Sequence, residues 1–317
     1  MKTFRDALPQ LGDGFFLTDG GLETTLIFLE GVELPHFAAF HLLADEAGTA
    51  ALRNYFRTYA ELARKHSTGI ILETPTWRSN PDWGALLGHD AKSLEEVNER
   101  SVELLEEIRA EYGSELAPVV VSGCIGPRGD GYVPSRAMSE SEAEDYHAAQ
   151  TRVFARTSAD LVTALTMNYV EEAVGIARAA EQASIPVVIS FTVETDGRLP
   201  TGQPLGDAIA RVDEATSCYP AYYMINCAHP SHFGAALSGA EPWIDRLRGL
   251  RANASRMSHA ELDDATELDA GDPAELGSEY LALERNELRR LNVMGGCCGT
   301  DHRHVERIAI ECLPSFR

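Results

Sequence analysis

Residues 46–77 of the chain read EAGTAALRNYFRTYAELARKHSTGIILETPTW, and this stretch decides the fold class. Its first part, Glu46–His66, has the apolar periodicity of an amphipathic helix. The run that follows, Gly69–Glu73, is short and mostly apolar, as expected for a strand that is covered on both faces. A long helix that leads into such a strand is typical of a parallel α/β unit.

The same alternation continues in both directions from this unit. Eight strand-like runs separated by amphipathic segments favour a closed barrel over an open sheet. We therefore predict an α/β fold, a single (β/α)8 TIM barrel that forms one domain over residues 1–317. The predicted strands are Phe15–Thr18, Gly69–Glu73, Pro118–Ser122, Asp160–Leu165, Pro186–Phe191, Ala221–Ile225, Leu250–Asn253 and Leu291–Met294. The predicted helices are Glu46–His66, Leu94–Tyr112, Ser139–Thr157, Val170–Ala183, Leu205–Thr216, His232–Arg248 and Pro273–Leu288, and Ser255–Asp272 is predicted to be a solvated surface loop.

Composition restricts the possible partners. The chain has 49 acidic and 27 basic residues and a formal net charge of -22, so nucleic acid and anionic membranes are poor partners. The N-terminal residues carry charge where a secretory signal needs an apolar core, and no apolar run approaches the ~18 residues of a membrane span. We expect a cytoplasmic protein, in which six cysteines are thiols or metal ligands rather than disulfides. The sequence does not indicate an oligomeric state.

Three cysteines stand where a barrel of this class places its functional residues, at the carboxyl ends of strands. Cys227 follows the sixth predicted strand, and Cys297 and Cys298 follow the eighth. Strands six and eight are second neighbours, so these thiols can meet over the barrel mouth. Three thiolates leave the fourth tetrahedral position of Zn²⁺ open, which a catalytic zinc site requires. We predict that Cys227, Cys297 and Cys298 bind a catalytic zinc ion.

The other interpretations of these cysteines are less specific. A buried cysteine commonly acts as a small apolar residue, and an adjacent pair can also form a strained disulfide. Cys124 also lies at a strand end and is a further candidate for contact with the site. Cys218 and Cys312 lie on or beside helices, and we expect no chemical role for either.

Three motifs together resemble the homocysteine S-methyltransferase family. They are Asp19-Gly20-Gly21, Asn226-Cys227 and Gly295-Gly296-Cys297-Cys298-Gly299-Thr300. They occur in the family's order and spacing, and the resemblance extends from about Phe15 to Ile308. It implies a (β/α)8 barrel, zinc bound by the three cysteines, and methyl transfer from an activated donor to homocysteine, which forms methionine.

The resemblance also implies roles for individual residues. Asp19, Gly20 and Gly21 match the loop that receives the amino-acid end of homocysteine. Asn253 matches an asparagine that closes the seventh strand near the sulfur. Thr74 and Trp77 fall on the second-strand loop that lines the pocket, and Trp77 could add a cation–π contact to a cationic donor.

One position departs from the family pattern. Many members have Glu-Thr at the end of the fourth strand, where the glutamate binds the homocysteine ammonium, and this chain has Leu165-Thr166. Leucine cannot pair with an ammonium group. Either another carboxylate replaces that glutamate, with Glu23 the first choice, or the acceptor is a different small thiol or a selenol. Glu73 and Glu194 are the other two candidates.

The donor predicted from the resemblance is S-methylmethionine, S-adenosylmethionine or a betaine-like compound. Two other classes of function stay open. A non-catalytic zinc-binding or thiol-binding barrel would use the same cysteines. A zinc-dependent hydrolase would need histidine ligands, for which the only candidate segment is Asp301-His302-Arg303-His304. In that segment we expect Asp301 to cap the last helix and both histidines to lie on the surface.

Overall fold

The structure is a computed structural model that describes residues 3–113, 118–134, 137–237 and 241–316. Eight parallel strands pair in sequence order, and the eighth pairs with the first, so the sheet closes into a barrel. This confirms the predicted (β/α)8 barrel. The strands are β1 (Phe16–Leu17), β2 (Gly69–Glu73), β3 (Val119–Ile125), β4 (Leu161–Met167), β5 (Val187–Phe191), β6 (Tyr222–Asn226), β7 (Leu247–Ala252) and β8 (Val293–Gly296).

Long helices cover the outside of the barrel, and side chains near their ends determine where they start. Asp45 accepts a hydrogen bond from Gly48 N at 2.8 Å, and Ser139 forms a capping box with Glu142. The long helices are Glu46–His66, Ala91–Tyr112, Glu140–Arg156, Val170–Ala183, Leu205–Ala215, Pro273–Asn286 and His302–Cys312. No helix in the described part of the chain is long and apolar enough to cross a membrane.

The prediction of one helix over His232–Arg248 is wrong. The described residues of this connection form only short turns, Pro230–Phe233, Gly234–Leu237 and Pro242–Arg246, and residues 238–240 lie outside the described residues. The physical reason lies in Pro242, which has no N–H to donate and holds Glu241 in an extended conformation with ψ of 134°. Strand β7 then begins at Leu247, three positions before its predicted start.

The interior of the barrel is apolar at one end and polar at the other. Strand residues alternate between faces, so Ile71 and Glu73 both point inward from β2. The apolar layer packs as one cluster of buried side chains that includes Phe16, Ile71, Val120, Leu161, Val188, Tyr222, Met224 and Val293. The inward residues at the carboxyl ends of the strands are polar, and the functional residues lie at this end.

Candidate active site

The three predicted ligand cysteines meet at the carboxyl end of the barrel. The Sγ atoms of Cys227, Cys297 and Cys298 all lie within 4.8 Å of one another. Over the described residues, no other group of three or more His, Cys, Asp or Glu side chains is gathered in this way. The convergence follows from the topology, since these residues come directly after β6 and β8.

Two of these cysteines are oxidised in the structure. Cys227 and Cys297 form a disulfide with their Cα atoms 5.4 Å apart, and Cys298 is a free thiol. This differs from the expectation that the cysteines are thiols or metal ligands. Residues brought close enough to share a metal ion are also close enough to form a disulfide. Because the metal ligand is the thiolate, the disulfide must be reduced before three sulfurs can bind one ion.

The backbone at Cys227 is strained and is held by several hydrogen bonds. Its φ of 54° lies in the left-handed region that non-glycine residues rarely adopt. The Cys227 carbonyl accepts hydrogen bonds from Asn253 Nδ2 at 3.0 Å and from His259 Nε2 at 2.7 Å. Its N–H donates to the Arg251 carbonyl at 3.1 Å. These contacts hold a strained residue at the site where its sulfur meets the other two.

Asn226, which precedes Cys227, connects β6 to β4. Its Oδ1 accepts hydrogen bonds from Thr166 N at 2.9 Å and from Ser190 Oγ at 2.6 Å. Its Nδ2 donates to Thr166 Oγ1 at 2.8 Å. Thr166 has a φ of 63°, so Asn226 stabilises a second left-handed residue. Thr166 directly follows Leu165, which lines the cavity at this end of the barrel.

A cavity of about 410 Å³ opens at this end of the barrel. Its wall includes the three cysteines, Cys124 and Leu165. Among the residues predicted to contact substrate, those that line it are Asp19, Gly20, Gly21, Glu23, Thr74 and Trp77. Asn253 is buried and is not part of the wall, and it contacts the site through the Cys227 carbonyl.

The loop after β1 lies against the loop after β8. A Cβ atom on Gly21 would lie 2.5 Å from the Cys297 carbonyl oxygen, so glycine is needed for this close approach. Gly20 presents its carbonyl to Arg251 Nη2 at 3.1 Å. The Asp19-Gly20-Gly21 motif is therefore next to the cysteines, although it precedes them by more than 200 residues in the sequence.

Arg251 is a buried cation that the sequence analysis did not select. From β7, its guanidinium pairs with Asp19 at 2.5 Å and with Glu73 at 2.6 Å. Tyr55 also donates a hydrogen bond to Asp19 Oδ2 at 3.0 Å. Burial raises the pKa of both carboxyl groups, and the charge of Arg251 acts in the opposite direction. A charged residue within an apolar strand was the available signal, because a buried charge requires a partner.

The three candidate replacements for the fourth-strand glutamate differ in their surroundings. Glu73 is paired with Arg251, and Glu194 lies 3.1 Å from His259 Nδ1 and away from the cavity wall. Glu23 lines the cavity and forms no ion pair with any residue that the structure describes. Burial raises the Glu23 pKa to about 7. Of the three, Glu23 is the carboxylate that faces the cavity with its charge unpaired.

Trp77 already contacts an internal cation. The Arg78 guanidinium lies 4.1 Å from the centre of its ring, and its Nε1 donates to the Leu165 carbonyl at 3.3 Å. The predicted cation–π contact with a donor is therefore confined to the ring surface that Arg78 leaves free. Thr74 is also engaged, since its Oγ1 accepts a hydrogen bond from Cys124 N at 2.8 Å.

A match to a protein-family model covers residues 16–312, and the description of that family is homocysteine S-methyltransferase. The chain belongs to the homocysteine S-methyltransferase family. Membership makes it a methyltransferase, as the motifs around Asp19, Cys227 and Cys297 predicted.

Three solved structures of a homocysteine methyltransferase share the fold of this chain. The oxidized form of the homocysteine methyltransferase MmuM from Escherichia coli is 20% identical, with a TM-score of 0.76, over 98% of this chain and 99% of that chain. The metallated form is 19% identical, with a TM-score of 0.68, over 94% and 96% of the two chains. The apo form is 18% identical, with a TM-score of 0.65, over 96% and 98%.

The loop after β7 is largely exposed, as the sequence predicted, but it also forms part of the cavity wall. It contains the short helix His259–Asp263, and several of its residues cover the cavity. These residues are Ser255, Leu262, Asp263, Ala265, Glu267, Leu268 and Asp269. The sequence shows that this loop is acidic, but which of its residues face the cavity depends on contacts with the rest of the barrel.

Tyr132, another residue that the sequence analysis missed, contacts the cysteines from the loop after β3. Its hydroxyl lies 3.7 Å from Cys298 Sγ. Its ring stacks on His259, with ring centres 3.9 Å apart. His259 in turn donates to the Cys227 carbonyl, so one aromatic pair contacts two of the three cysteine residues.

The histidines of the last helix do not reach the site. Asp301 caps that helix as predicted, accepting from Arg303 N at 2.9 Å. His302 is exposed, but His304 is fully buried, which corrects the expectation that both lie on the surface. His304 Nε2 donates to the Ala270 carbonyl at 2.7 Å. Neither histidine lines the cavity, so the structure offers no histidine ligand set for a hydrolase among the described residues.

Proposed function

We propose that this protein transfers a methyl group from an activated donor to a homocysteine-type thiol, and that it does so at a zinc ion bound by Cys227, Cys297 and Cys298. The observation that carries the proposal is the gathering of three cysteine sulfurs within 4.8 Å of one another on the wall of a cavity. The family to which the chain belongs supplies the class of reaction.

The three sulfurs suit a zinc ion. With Zn–S bonds of about 2.3 Å, tetrahedral thiolates lie roughly 3.8 Å apart, which is compatible with the observed grouping after reduction of the disulfide. Burial raises the Cys298 pKa to about 11, so this group needs a cation to become a thiolate at neutral pH. When bound, zinc would supply that cation and would also hold an incoming thiol in its deprotonated form.

The residues of the chain then bind and orient the acceptor. The side of the cavity formed by Gly20, Gly21 and Glu23 adjoins the cysteines, so it is placed to receive the amino-acid end of the acceptor. Glu23 is our candidate for the ammonium partner, in place of the glutamate that Leu165 replaces. Arg251 offsets the charges of Asp19 and Glu73, so neither of them is as well suited to this role.

The methyl transfer itself needs no dedicated base once the acceptor is a thiolate. Its sulfur forms a bond to the methyl carbon, and the bond from that carbon to the donor's leaving atom breaks. The electron pair of that bond stays with the donor. A sulfonium or quaternary ammonium donor, such as S-methylmethionine, S-adenosylmethionine or a betaine-like compound, thereby loses the positive charge on its sulfur or nitrogen and leaves as a thioether or a tertiary amine.

The charge of the cavity favours a cationic donor. Its wall carries more acidic than basic side chains, and opposite charge raises the local concentration of a ligand. The acidic residues are Asp19, Glu23, Glu73, Asp130, Asp263, Glu267 and Asp269, and the basic ones are Arg78 and Arg251.

Two alternatives share this site. A different small thiol or a selenol could be the acceptor, which Leu165 favours because the usual ammonium partner is absent at that position. A non-catalytic barrel that binds zinc or thiols would use the same cysteines without turnover.

The test is an assay of reduced, zinc-loaded protein. Homocysteine is supplied with each of the three donor types, and methionine is measured by mass spectrometry. Formation of methionine with one donor supports the proposal, and a Cys298→Ser variant serves as the inactive control. Methylation only of another thiol or of a selenol would support the first alternative. Tight zinc binding without methylation of any acceptor would contradict methyl transfer.

A further inference from the structure

Arg78 is a cation on the cavity wall for which the function described so far has no use. It follows Trp77 in the loop after β2, and only 7% of the residue is exposed. Its guanidinium lies between two indole rings, 4.1 Å from the centre of Trp77 and 3.9 Å from the centre of Trp83. This stacking holds the planar group in one orientation beside the cavity.

The hydrogen-bond donors of Arg78 are only partly used. Nη1 donates to the Gly129 carbonyl at 2.9 Å. Nη2 forms a long ion pair with the Asp130 carboxylate at 4.0 Å, a distance too great for a hydrogen bond. Nε is buried and has no hydrogen-bond partner among the residues that the structure describes. Burial lowers the Arg78 pKa to about 10, although nearby acidic groups act in the opposite direction. The group still carries its charge at neutral pH, and a buried charge of this kind is stabilised by an anion.

Glu23 carries the opposite charge on the same wall. Among the described residues it has no ion-pair partner, and Arg78 does not form one with it. The two groups are nevertheless close enough that each shifts the pKa of the other towards the charged form. Two opposite charges that line one cavity and do not pair with each other match a ligand that carries both charges on adjacent groups.

We propose that Arg78 binds the carboxylate of an α-amino acid acceptor whose ammonium group pairs with Glu23. The inference rests on the proposed function for the thiol chemistry of that acceptor. It adds Arg78 as the residue that binds the carboxylate of the acceptor. The fork of the guanidinium suits a carboxylate, and its stacking between two indoles lowers the entropy lost on binding.

The rival explanation is that Arg78 only holds its loop. Its contacts with Trp77, Trp83 and the Gly129 carbonyl would then stabilise the mouth of the cavity without touching substrate. In that case a change at Arg78 would affect every acceptor equally, which makes the two explanations separable.

The test uses three thiols with reduced, zinc-loaded protein. Homocysteine carries both charges, 4-mercaptobutanoate lacks the ammonium group, and 3-aminopropanethiol lacks the carboxylate. Affinity is measured by calorimetry, and methyl transfer is measured alongside it. We expect Arg78→Gln to lower the affinity for homocysteine and for 4-mercaptobutanoate by at least tenfold, about 1.4 kcal/mol. The affinity for 3-aminopropanethiol should fall by less than twofold. Glu23→Gln should give the converse pattern. It should lower the affinity for homocysteine and 3-aminopropanethiol, which carry an ammonium group, and leave the affinity for 4-mercaptobutanoate unchanged.

Arg128→Gln is the matched control. Arg128 also stacks on an aromatic ring, that of Tyr146, and pairs with Asp82 at 3.0 Å, but it does not line the cavity. This variant should bind all three thiols as the wild-type protein does. If Arg78→Gln does not fold, Arg78→Lys is the second variant, because it keeps the charge and removes the planar guanidinium. It should still lower the affinity selectively for the two thiols that carry a carboxylate.

An equal loss of affinity for all three thiols in the Arg78 variants would overturn the proposal. Failure of the wild-type protein to bind homocysteine would also overturn it. Binding of homocysteine with the expected selectivity, but without methyl transfer from any donor, would contradict the proposed function and leave the role of Arg78 supported.

Discussion

Arg251 donates a hydrogen bond from Nη1 to the Glu73 carboxylate at 2.6 Å, across the mouth of the barrel from β7 to β2. The same guanidinium pairs with Asp19 at 2.5 Å. It therefore connects the ends of β1, β2 and β7 and balances two acidic groups in a buried place. Because all three groups are almost inaccessible to water, removing one leaves the others without compensation.

Arg251→Ala should destabilise the protein strongly. Breaking a buried pair by removing one partner costs about 3–5 kcal/mol, and urea unfolding measures this loss. Arg256→Ala is the control, since Arg256 is half-exposed and pairs with Glu275 and Glu279 on the surface. Its removal should change the free energy of unfolding by no more than about 1 kcal/mol. If the two variants lose similar free energies of unfolding, the buried ion pairs of Arg251 do not stabilise the protein as expected.

Zinc content should depend on the three clustered cysteines. Cys227→Ser and Cys298→Ser should each lose bound zinc and methyl transfer, because a serine hydroxyl is a poor replacement for a thiolate ligand. Metal analysis of the reduced protein measures the first effect. Cys218→Ser, which changes an exposed thiol away from the cluster, should keep both properties. Near-stoichiometric zinc in a triple variant without Cys227, Cys297 and Cys298 would refute the assignment.

The metal-free protein should be sensitive to oxidation. The disulfide between Cys227 and Cys297 removes two of the three ligands, so air should abolish activity, and reductant with zinc should restore it. Peptide mapping by mass spectrometry should find this bond in the inactive protein and not in the zinc-loaded protein. An apo protein that keeps its zinc-binding capacity after prolonged oxidation would contradict an accessible three-thiolate site.

Glu23 should make acceptor binding depend on pH. Its pKa is raised to about 7 by burial, so the carboxylate is mainly neutral below that pH and mainly charged above it. The KM for homocysteine should therefore fall as the pH rises through about 7, because only the charged form attracts the ammonium group. Above pH 7, the KM of Glu23→Gln should be at least ~10-fold higher than that of the wild-type protein, roughly 1.4 kcal/mol of lost binding. The fall of KM through about pH 7 should be absent in this variant.

An amine-free thiol supplies the reference for that experiment, since it reports the titration of the acceptor sulfur alone. The difference between the two thiols isolates the ammonium contact. Zinc content should stay unchanged in Glu23→Gln, because Glu23 is not in the cysteine cluster. If both thiols lose the same affinity, Glu23 does not bind the ammonium group.

The sequence predicted the barrel more accurately than it predicted the connections between strands. The alternation around Glu46–His66 and Gly69–Glu73 predicted the barrel correctly, since local periodicity reflects which faces are covered. The helix predicted over His232–Arg248 failed because Pro242 interrupts a segment whose composition is otherwise compatible with a helix. The loop after β7 was polar as expected, but its position over the cavity could not be read from polarity.

The sequence by itself determined the barrel and the meeting of Cys227 with Cys297 and Cys298. Both follow from chain order, because parallel strands deliver their carboxyl ends to one face. The tertiary structure alone decided which charges are paired. Arg251 lies 178 positions from Glu73 in the sequence, and no periodicity connects them. Likewise, only the folded cavity shows that Glu23 has no ion-pair partner among the described residues, because pairing depends on distances and burial that chain order does not encode.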